Sequence, residues 1–306
     1  MKTIVAEAIH RHCHPLPPRP TEVAARLEVL PDICAVLFDI YGTLLVSGAG
    51  DITLQSETAS DDAFRAVLVE AGLAHDVVSR WVVELLREVI AGRHAANRLQ
   101  GIAFPEVDIV DVWREVVQRI AGDDRLPRPA LAAIDPARLA VEYELRLNPV
   151  WPMPGMIECL EDLASRGLLL GLVSNAQAMT LELFPALVNR DLTELGFAPD
   201  LQFFSYRCGE SKPSPAMFNA AATALRQHGL ATKNAVYIGN DMLNDVWAAE
   251  QAGFRTILFA GDARSLRLRA DDERLGGCSP DCVVKDLQSI GLCLGGSSQR
   301  STAPAR

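Results

Sequence analysis

Four short polar stretches, each placed where an apolar run ends, hold the residues able to do chemistry. Asp39 and Thr43 follow "AVLF", Ser174 and Asn175 close "LLLGLVSN", Lys212 stands in "CGESKPSP" after "LQFFSY", and Asp241 and Asp245 stand in "IGNDMLND" after "AVYIG". A carboxylate can act as a nucleophile, and a lysine can balance its charge. Hydroxyl and amide groups can hold the oxygens of an anion, and a carboxylate pair can hold a hard cation through oxygen ligands. Taken singly these residues mean little, since a strand-end aspartate is usually a turn former or helix cap and a lone lysine is usually solvated. Four such places in register point to one site. Lys212 stands out further because only four of the 29 basic residues are lysines, although an arginine-biased composition alone would produce that scarcity.

Residues at strand ends act together only if the strands lie side by side, and the rhythm of the chain supplies that arrangement. From Trp151 onward, strands and helices alternate: the helix "MIECLEDLASRG" closed by Gly167, the strand "LLLGLVSN", then "LQFFSY", "PAMFNAAATALRQHG", "AVYIG", "DVWAAEQAG" and "TILFA". This is the pattern of a parallel, doubly wound sheet, in which sites lie outside the carboxyl ends of the strands. The run "AVLFD" belongs with these strands by character. Between them, residues 61–147 carry helical spacing: Phe64, Val67, Leu68 and Ala71; Val78, Trp81, Val82, Leu85, Leu86 and Val89; Ile109, Val112, Trp113, Val116 and Ile120. Asp135 as N-cap and Pro136 at the first helical position start one more helix. The expected organisation is an α/β, Rossmann-like core (31–47 and 151–294) with an inserted α-helical cap (48–150), an extended N-terminal arm (1–30) and a disordered tail (295–306).

At 306 residues, 49% hydrophobic and 22% charged, the chain can bury a large core. A net charge of −10 and the lack of a basic stripe argue against a nucleic-acid surface and for a small anionic substrate. No apolar run is long enough to cross a membrane, and the N-terminus has no continuous hydrophobic signal, so the expected location is the cytoplasm. The seven cysteines are scattered and odd in number. Cys278 and Cys282 have no second pair with which to bind zinc, so all seven read as reduced thiols.

The four stretches, in this order and with helices inserted after the first, resemble the motifs of the haloacid dehalogenase-like (HAD) hydrolase superfamily over residues 35 to about 262. The resemblance implies that Asp39 is the nucleophile, that Thr43, Ser174 and Asn175 bind the transferring group, and that Lys212 balances negative charge. It implies a Mg²⁺ site made by Asp39, the Tyr41 backbone carbonyl and Asp241, with Asp245 in the same acidic motif, and it puts Tyr41 and Gly42 against the substrate.

Tyr41 departs from the phosphatase members, which have at that place a second aspartate that protonates the leaving alkoxide. Tyrosine followed by Gly-Thr is instead the pattern of the 2-haloacid dehalogenases, which need neither a proton donor nor a metal. The fourth motif points the other way, because Asp241 and Asp245 at the mouth of one site would repel each other without a cation. The balance favours a Mg²⁺-dependent phosphohydrolase. A metal-independent dehalogenase is the second reading, and a retired fold kept as a binding protein the third. Cleavage through a cap lysine is excluded, since residues 3 to 211 contain no lysine.

Arg93, His94 and Arg98, near a cap helix end, could reach an anionic substrate, with exposed cap surface as the plainer reading. His10, His12, Cys13 and His14 look like metal ligands but read better as a surface arm. Trp81 and Trp113, at helical spacing, read as lid core.

Overall fold

Strand β1 (Ala35–Phe38) is buried along its whole length, which is possible only in a sheet covered on both faces. Its side chains alternate. Val36 and Phe38 join an apolar cluster on one face, whereas Ala35 and Leu37 join a second cluster on the other. A computed structural model of the chain describes residues 2–49, 57–70, 76–121 and 135–295.

Six strands form the main sheet, and every pairing in it is parallel. The order is β5 (Phe197–Phe204), β4 (Leu169–Ser174), β1, β6 (Ala235–Gly239), β7 (Arg255–Phe259) and β8 (Cys282–Val284). β1 lies between β4 and β6, so the chain reverses direction around it, and the loops after β1, β4 and β6 converge there. Met156–Ser165 (α6) and Thr180–Val188 (α7) contribute Leu160, Leu163, Leu183 and Phe184 to the first face. Ala216–Gln227 (α9) contributes Met217, Phe218 and Leu225 to the second. The short helix α8 (Ser205–Cys208) follows β5, and α10 (Ala248–Gln251) and α11 (Ile290–Cys293) complete the core. The α/β fold with an inserted helical cap is the expected one.

The cap comprises α2 (Glu57–Glu70), α3 (Asp76–Leu99), α4 (Ile109–Ala121) and α5 (Pro136–Leu147). Its own core is built on Phe64, Val82, Leu86, Val112, Trp113 and Val116. Trp113 is fully buried and stacks on Phe64, with ring centroids 5.3 Å apart. Asp135 caps α5 as expected, accepting the Ala137 amide at 2.9 Å.

The chain leaves and re-enters the core through a two-stranded antiparallel ribbon that the hydrophobic pattern does not announce: β2 (Leu45–Ser47) pairs with β3 (Val150–Pro152). Asn148 locks it, accepting from Ser47 Oγ at 2.7 Å and from the Ala49 amide at 3.0 Å.

The N-terminal segment corrects the expectation of an extended arm. Residues Lys2–His12 form α1, which packs against α7 of the core and α5 of the cap. Val5, Ala8, Ile9 and Cys13 are buried, so the helix has an apolar face that the Pro-rich stretch after it conceals in the sequence. His12 Nε2 lies 2.7 Å from Glu142 Oε2, Arg11 donates to Glu142 Oε1 at 2.7 Å, and Arg146 donates to Oε2 at 2.5 Å. His10, whose Nε2 lies 2.9 Å from the Ala186 carbonyl of α7, and His12 are thus contacts of a docked helix. From Leu16 onward the segment runs without regular structure along the β7–β8 edge, where Arg26 bridges Val283 and Leu30 bridges Leu294. The tail beyond Gly295 lies outside the described residues.

Candidate active site

Asp39 is the first residue past β1, and its amide donates to the Ile238 carbonyl of β6 at 2.8 Å, which fixes the strand end between its neighbours. The carboxylate is nearly buried. One oxygen, Oδ1, accepts from Ser174 Oγ at 2.9 Å and from Lys212 Nζ at 2.8 Å. No described residue donates to the other, Oδ2.

Lys212 is 5% exposed, so it can remain charged only if it is surrounded by acceptors. Its Nζ reaches Asp245 Oδ1 at 2.6 Å, Tyr237 OH at 2.9 Å and the Val173 carbonyl at 3.3 Å, in addition to Asp39. Burial pulls its pKa down, but the charges of Asp245 and Asp39 outweigh that and hold the ammonium above its ordinary value. Burial pushes the Asp245 carboxyl up, and Lys212 offsets that rise only in part, which leaves it raised to about 6. Asn175 sets the lysine backbone in place, with Oδ1 accepting the Lys212 amide at 2.7 Å and Nδ2 donating to its carbonyl at 3.3 Å. Tyr237 lies within β6 and ties Lys212 to the sheet, donating to the Val173 carbonyl at 2.7 Å.

The fourth stretch starts a π-helical turn, Met242–Trp247, with Asp241 as its N-cap. Asp241 Oδ1 accepts the amides of Leu243 at 2.8 Å and Asn244 at 3.1 Å. Asp245 Oδ2 accepts the Asp241 amide at 2.9 Å. A side chain absent from the sequence reading also enters: Arg269, from the loop between β7 and β8, grips both Asp241 oxygens, Nε at 2.8 and 3.0 Å and Nη2 at 2.5 Å.

Thr43 is fully buried and donates its hydroxyl to Asn240 Oδ1 at 3.1 Å, while Asn240 Nδ2 donates to the Ser265 carbonyl at 2.6 Å. Thr43 therefore ties the first loop to the fourth. Gly42 has φ +83°, and a Cβ there would collide with Ser265 and Asn240, so the loop needs glycine both for its backbone and for close approach. The Tyr41 hydroxyl lies 2.8 Å from Thr180 Oγ1 at the start of α7. Burial, followed by the negative charge of Glu144, pushes the phenol well above its ordinary range.

The structure thus gathers Asp39, Ser174, Asn175, Lys212 and Asp245 into one contact network, with Thr43, Gly42, Tyr41 and Asp241 on the loops around it. It does not bring Arg93, His94 and Arg98 into that network. Arg93 turns toward α4, donating to Glu115 Oε2 from Nη2 at 2.8 Å, and lines a cavity of about 430 Å³ on the cap with Asp111, Arg114 and Gln118. Burial, then the charge of Arg98, lowers the His94 pKa, and its buried Nε2 has no partner among the described residues. Arg98 is exposed.

The cap reaches the core loops through a different segment. Gln177, two residues past Asn175, donates to the Val107 carbonyl at 2.9 Å and accepts the Ile109 amide at 3.0 Å. Ser205 donates to Glu106 at 2.8 Å. These contacts, with Tyr237, Thr180 and Arg269, escape sequence reasoning. Tyr237 alone leaves a trace, as a hydroxyl within an otherwise apolar strand.

Among the described residues no three or more His, Cys, Asp or Glu side chains assemble as metal ligands, so a cation here would rest on two carboxylates and a carbonyl. Asp39 Oδ2 and the Tyr41 carbonyl take no hydrogen bond from a described residue. In kind, the Asp39 carboxylate, the Tyr41 carbonyl and Asp241 fit a hard divalent cation, on the condition that Arg269 cedes Asp241.

A family model described as haloacid dehalogenase-like hydrolase matches residues 33–253. The chain is similar to a glyceraldehyde 3-phosphate phosphatase of Methanopyrus kandleri, 28% identical over 247 residues that span 79% of this chain and 90% of the relative. It is also similar to the solved structure of a 2-haloacid dehalogenase from Pseudomonas syringae pv. tomato, with a TM-score of 0.55 at 22% identity, covering 85% of this chain and 96% of the other. At that identity the likeness concerns the fold. No described helix is long and apolar enough to cross a membrane.

Proposed function

The chain belongs to the haloacid dehalogenase-like hydrolases, and within them we propose that it is a Mg²⁺-dependent phosphohydrolase acting on a small phosphorylated metabolite through an aspartyl-phosphate on Asp39. The observation that carries this reading is the asymmetry of the Asp39 carboxylate. Ser174 and Lys212 both hold Oδ1, which leaves Oδ2 as the oxygen with a lone pair to give. Oδ2 attacks phosphorus, the P–O bond to the leaving group breaks, and the leaving oxygen departs with its electron pair. Water then attacks phosphorus, releasing phosphate and restoring the carboxylate.

Attack by an anion on an anion requires positive charge nearby. Lys212 supplies it, shared between Asp39 and Asp245, and Asn175 keeps it from drifting. A Mg²⁺ ion held by Asp39, the Tyr41 carbonyl and Asp241 would add charge neutralisation for the phosphoryl oxygens. Ser174 fixes which face of Asp39 is presented. The 28% identical relative, named for a phosphatase, supports phosphate as the transferred group. The seven free thiols support a reducing location, the cytoplasm.

The test is phosphate release from a panel of phosphate esters and acyl phosphates with Mg²⁺ and with EDTA. Release that needs Mg²⁺ and vanishes in Asp39→Asn, whose amide cannot attack, is the expected result. Tyr41 favours a second reading, metal-independent dehalogenation of a 2-haloacid, because a halide needs no proton donor. EDTA-resistant chloride release from 2-chloropropionate, with no phosphate from any ester, would replace the first reading by the second.

A further inference from the structure

We propose, on the reading of this site as cation-dependent, that Arg269 is a positioning residue that competes with the divalent cation for Asp241, so that the cation binds only when the guanidinium lets go. A carboxylate offers about four lone-pair directions. On Asp241 the amides of Leu243 and Asn244 and the Arg269 Nε meet Oδ1, and Nε and Nη2 meet Oδ2, so none is left for a metal. The two amides belong to the turn that Asp241 caps and cannot leave without unwinding it. Arg269 is the partner that can move.

The chain holds Arg269 in place from behind. The Met242 amide donates to the Arg267 carbonyl at 2.8 Å and the Arg267 amide donates to the Asn240 carbonyl at 2.9 Å, lacing the loop to the fourth motif on both sides of Asp241. Arg269 follows two residues later with φ +47°, in the left-handed region that residues other than glycine seldom enter. Its side chain, by contrast, is 33% exposed, so it can swing into solvent without unpacking the core. Asp272, three residues on, is close enough for the Arg269 charge to help hold its carboxyl low, after the larger effect of Arg274. That carboxylate is itself held by Arg274, from Nε at 2.9 Å and Nη2 at 2.6 Å, so a released guanidinium goes to solvent.

Binding of Mn²⁺ without substrate, followed by the electron paramagnetic resonance signal of the free ion, reads the competition directly. If the guanidinium holds Asp241 most of the time, the apparent affinity is reduced by the fraction released, and Arg269→Ala should tighten Mn²⁺ binding by about tenfold or more. Arg269→Lys keeps the charge but loses the two-pronged grip; it should fall between the two, and it serves as the test if the alanine variant does not fold. Arg274→Ala removes one positive charge from the same loop without touching Asp241, and should change the affinity by less than about twofold. Equal tightening in Arg274→Ala would overturn the proposal in favour of simple long-range repulsion between the loop's positive charge and the cation. Unchanged or weaker Mn²⁺ binding in both Arg269 variants, with wild type binding well, would overturn it and leave the cation reading intact. No binding to wild type or to either variant at millimolar Mn²⁺ would overturn both.

Discussion

Without a carboxylic acid at position 41, the rate of P–O cleavage should depend steeply on the leaving group. The Tyr41 phenol is a weak acid to begin with, and burial and Glu144 make it weaker still. Its hydroxyl is also occupied, 2.8 Å from Thr180 Oγ1. A positioned general acid is typically worth ~10²–10⁴ in rate, about 3–5 kcal/mol of barrier, and substrates that need one should lag by that much. Acyl phosphates and nitrophenyl phosphate leave as stabilised anions and should be cleaved far faster than glycerol or sugar phosphates. Steady-state phosphate release across such a series, on wild type and two variants, measures the effect. Tyr41→Phe should leave both substrate classes within about twofold of wild type while costing about 1–3 kcal/mol of stability, because the fully buried Thr180 hydroxyl loses its partner. Tyr41→Asp should raise activity on alkyl phosphates selectively. Wild-type cleavage of glycerol phosphate at the nitrophenyl phosphate rate, or a large loss in Tyr41→Phe, would refute the reasoning.

A methyl group on Gly239 would meet the Asp245 carboxyl, so Gly239→Ala should push Asp245 off Lys212, cost about 1–3 kcal/mol in urea unfolding and cut turnover. Gly92→Ala, a helical position with open space around it, should be neutral or slightly stabilising. Glu142→Gln should lower stability by about 1–3 kcal/mol in urea titrations, since Arg146 and His12 then face a neutral amide in place of a carboxylate. Burial pushes the Glu142 carboxyl up, but His12, Arg146 and Arg11 together hold it below its ordinary value. Its contribution is therefore present above the unfolded-state pKa and fades as pH falls through the lower folded-state value, a loss the Gln variant should not show. Glu144 has the opposite sign: burial, then Glu106, raises it to about 7, so the folded state holds the extra proton. Stability should fall as pH rises from about 4.5 to 7, by up to about 3 kcal/mol, and Glu144→Gln should flatten that slope in urea titrations across the window.

Local pattern was enough to reveal the α/β core, the helical insert and the polar stretches, because each depends on short-range physics. Apolar runs such as "AVLF" and "AVYIG" have no stable place except inside a parallel sheet, and a sheet of that kind brings its strand ends together. Asp39, Ser174, Asn175, Lys212 and Asp245 were legible for that reason, whereas Gly42 entered through the family resemblance alone and its packing against Ser265 and Asn240 was not legible. What tertiary structure alone decided are the contacts between residues far apart in the chain. Nothing near His10 or His12 signals that α1 docks between core and cap, because the acid it meets, Glu142, lies 130 residues away. Arg93, His94 and Arg98 had the right chemistry for an anion, but the direction each takes from its helix depends on packing against α4 and on burial within the cap. Arg269 shows the same limit at the site itself. Asp241 reads as a free ligand in the sequence, and only the loop that crosses from β7 to β8 brings a guanidinium against it.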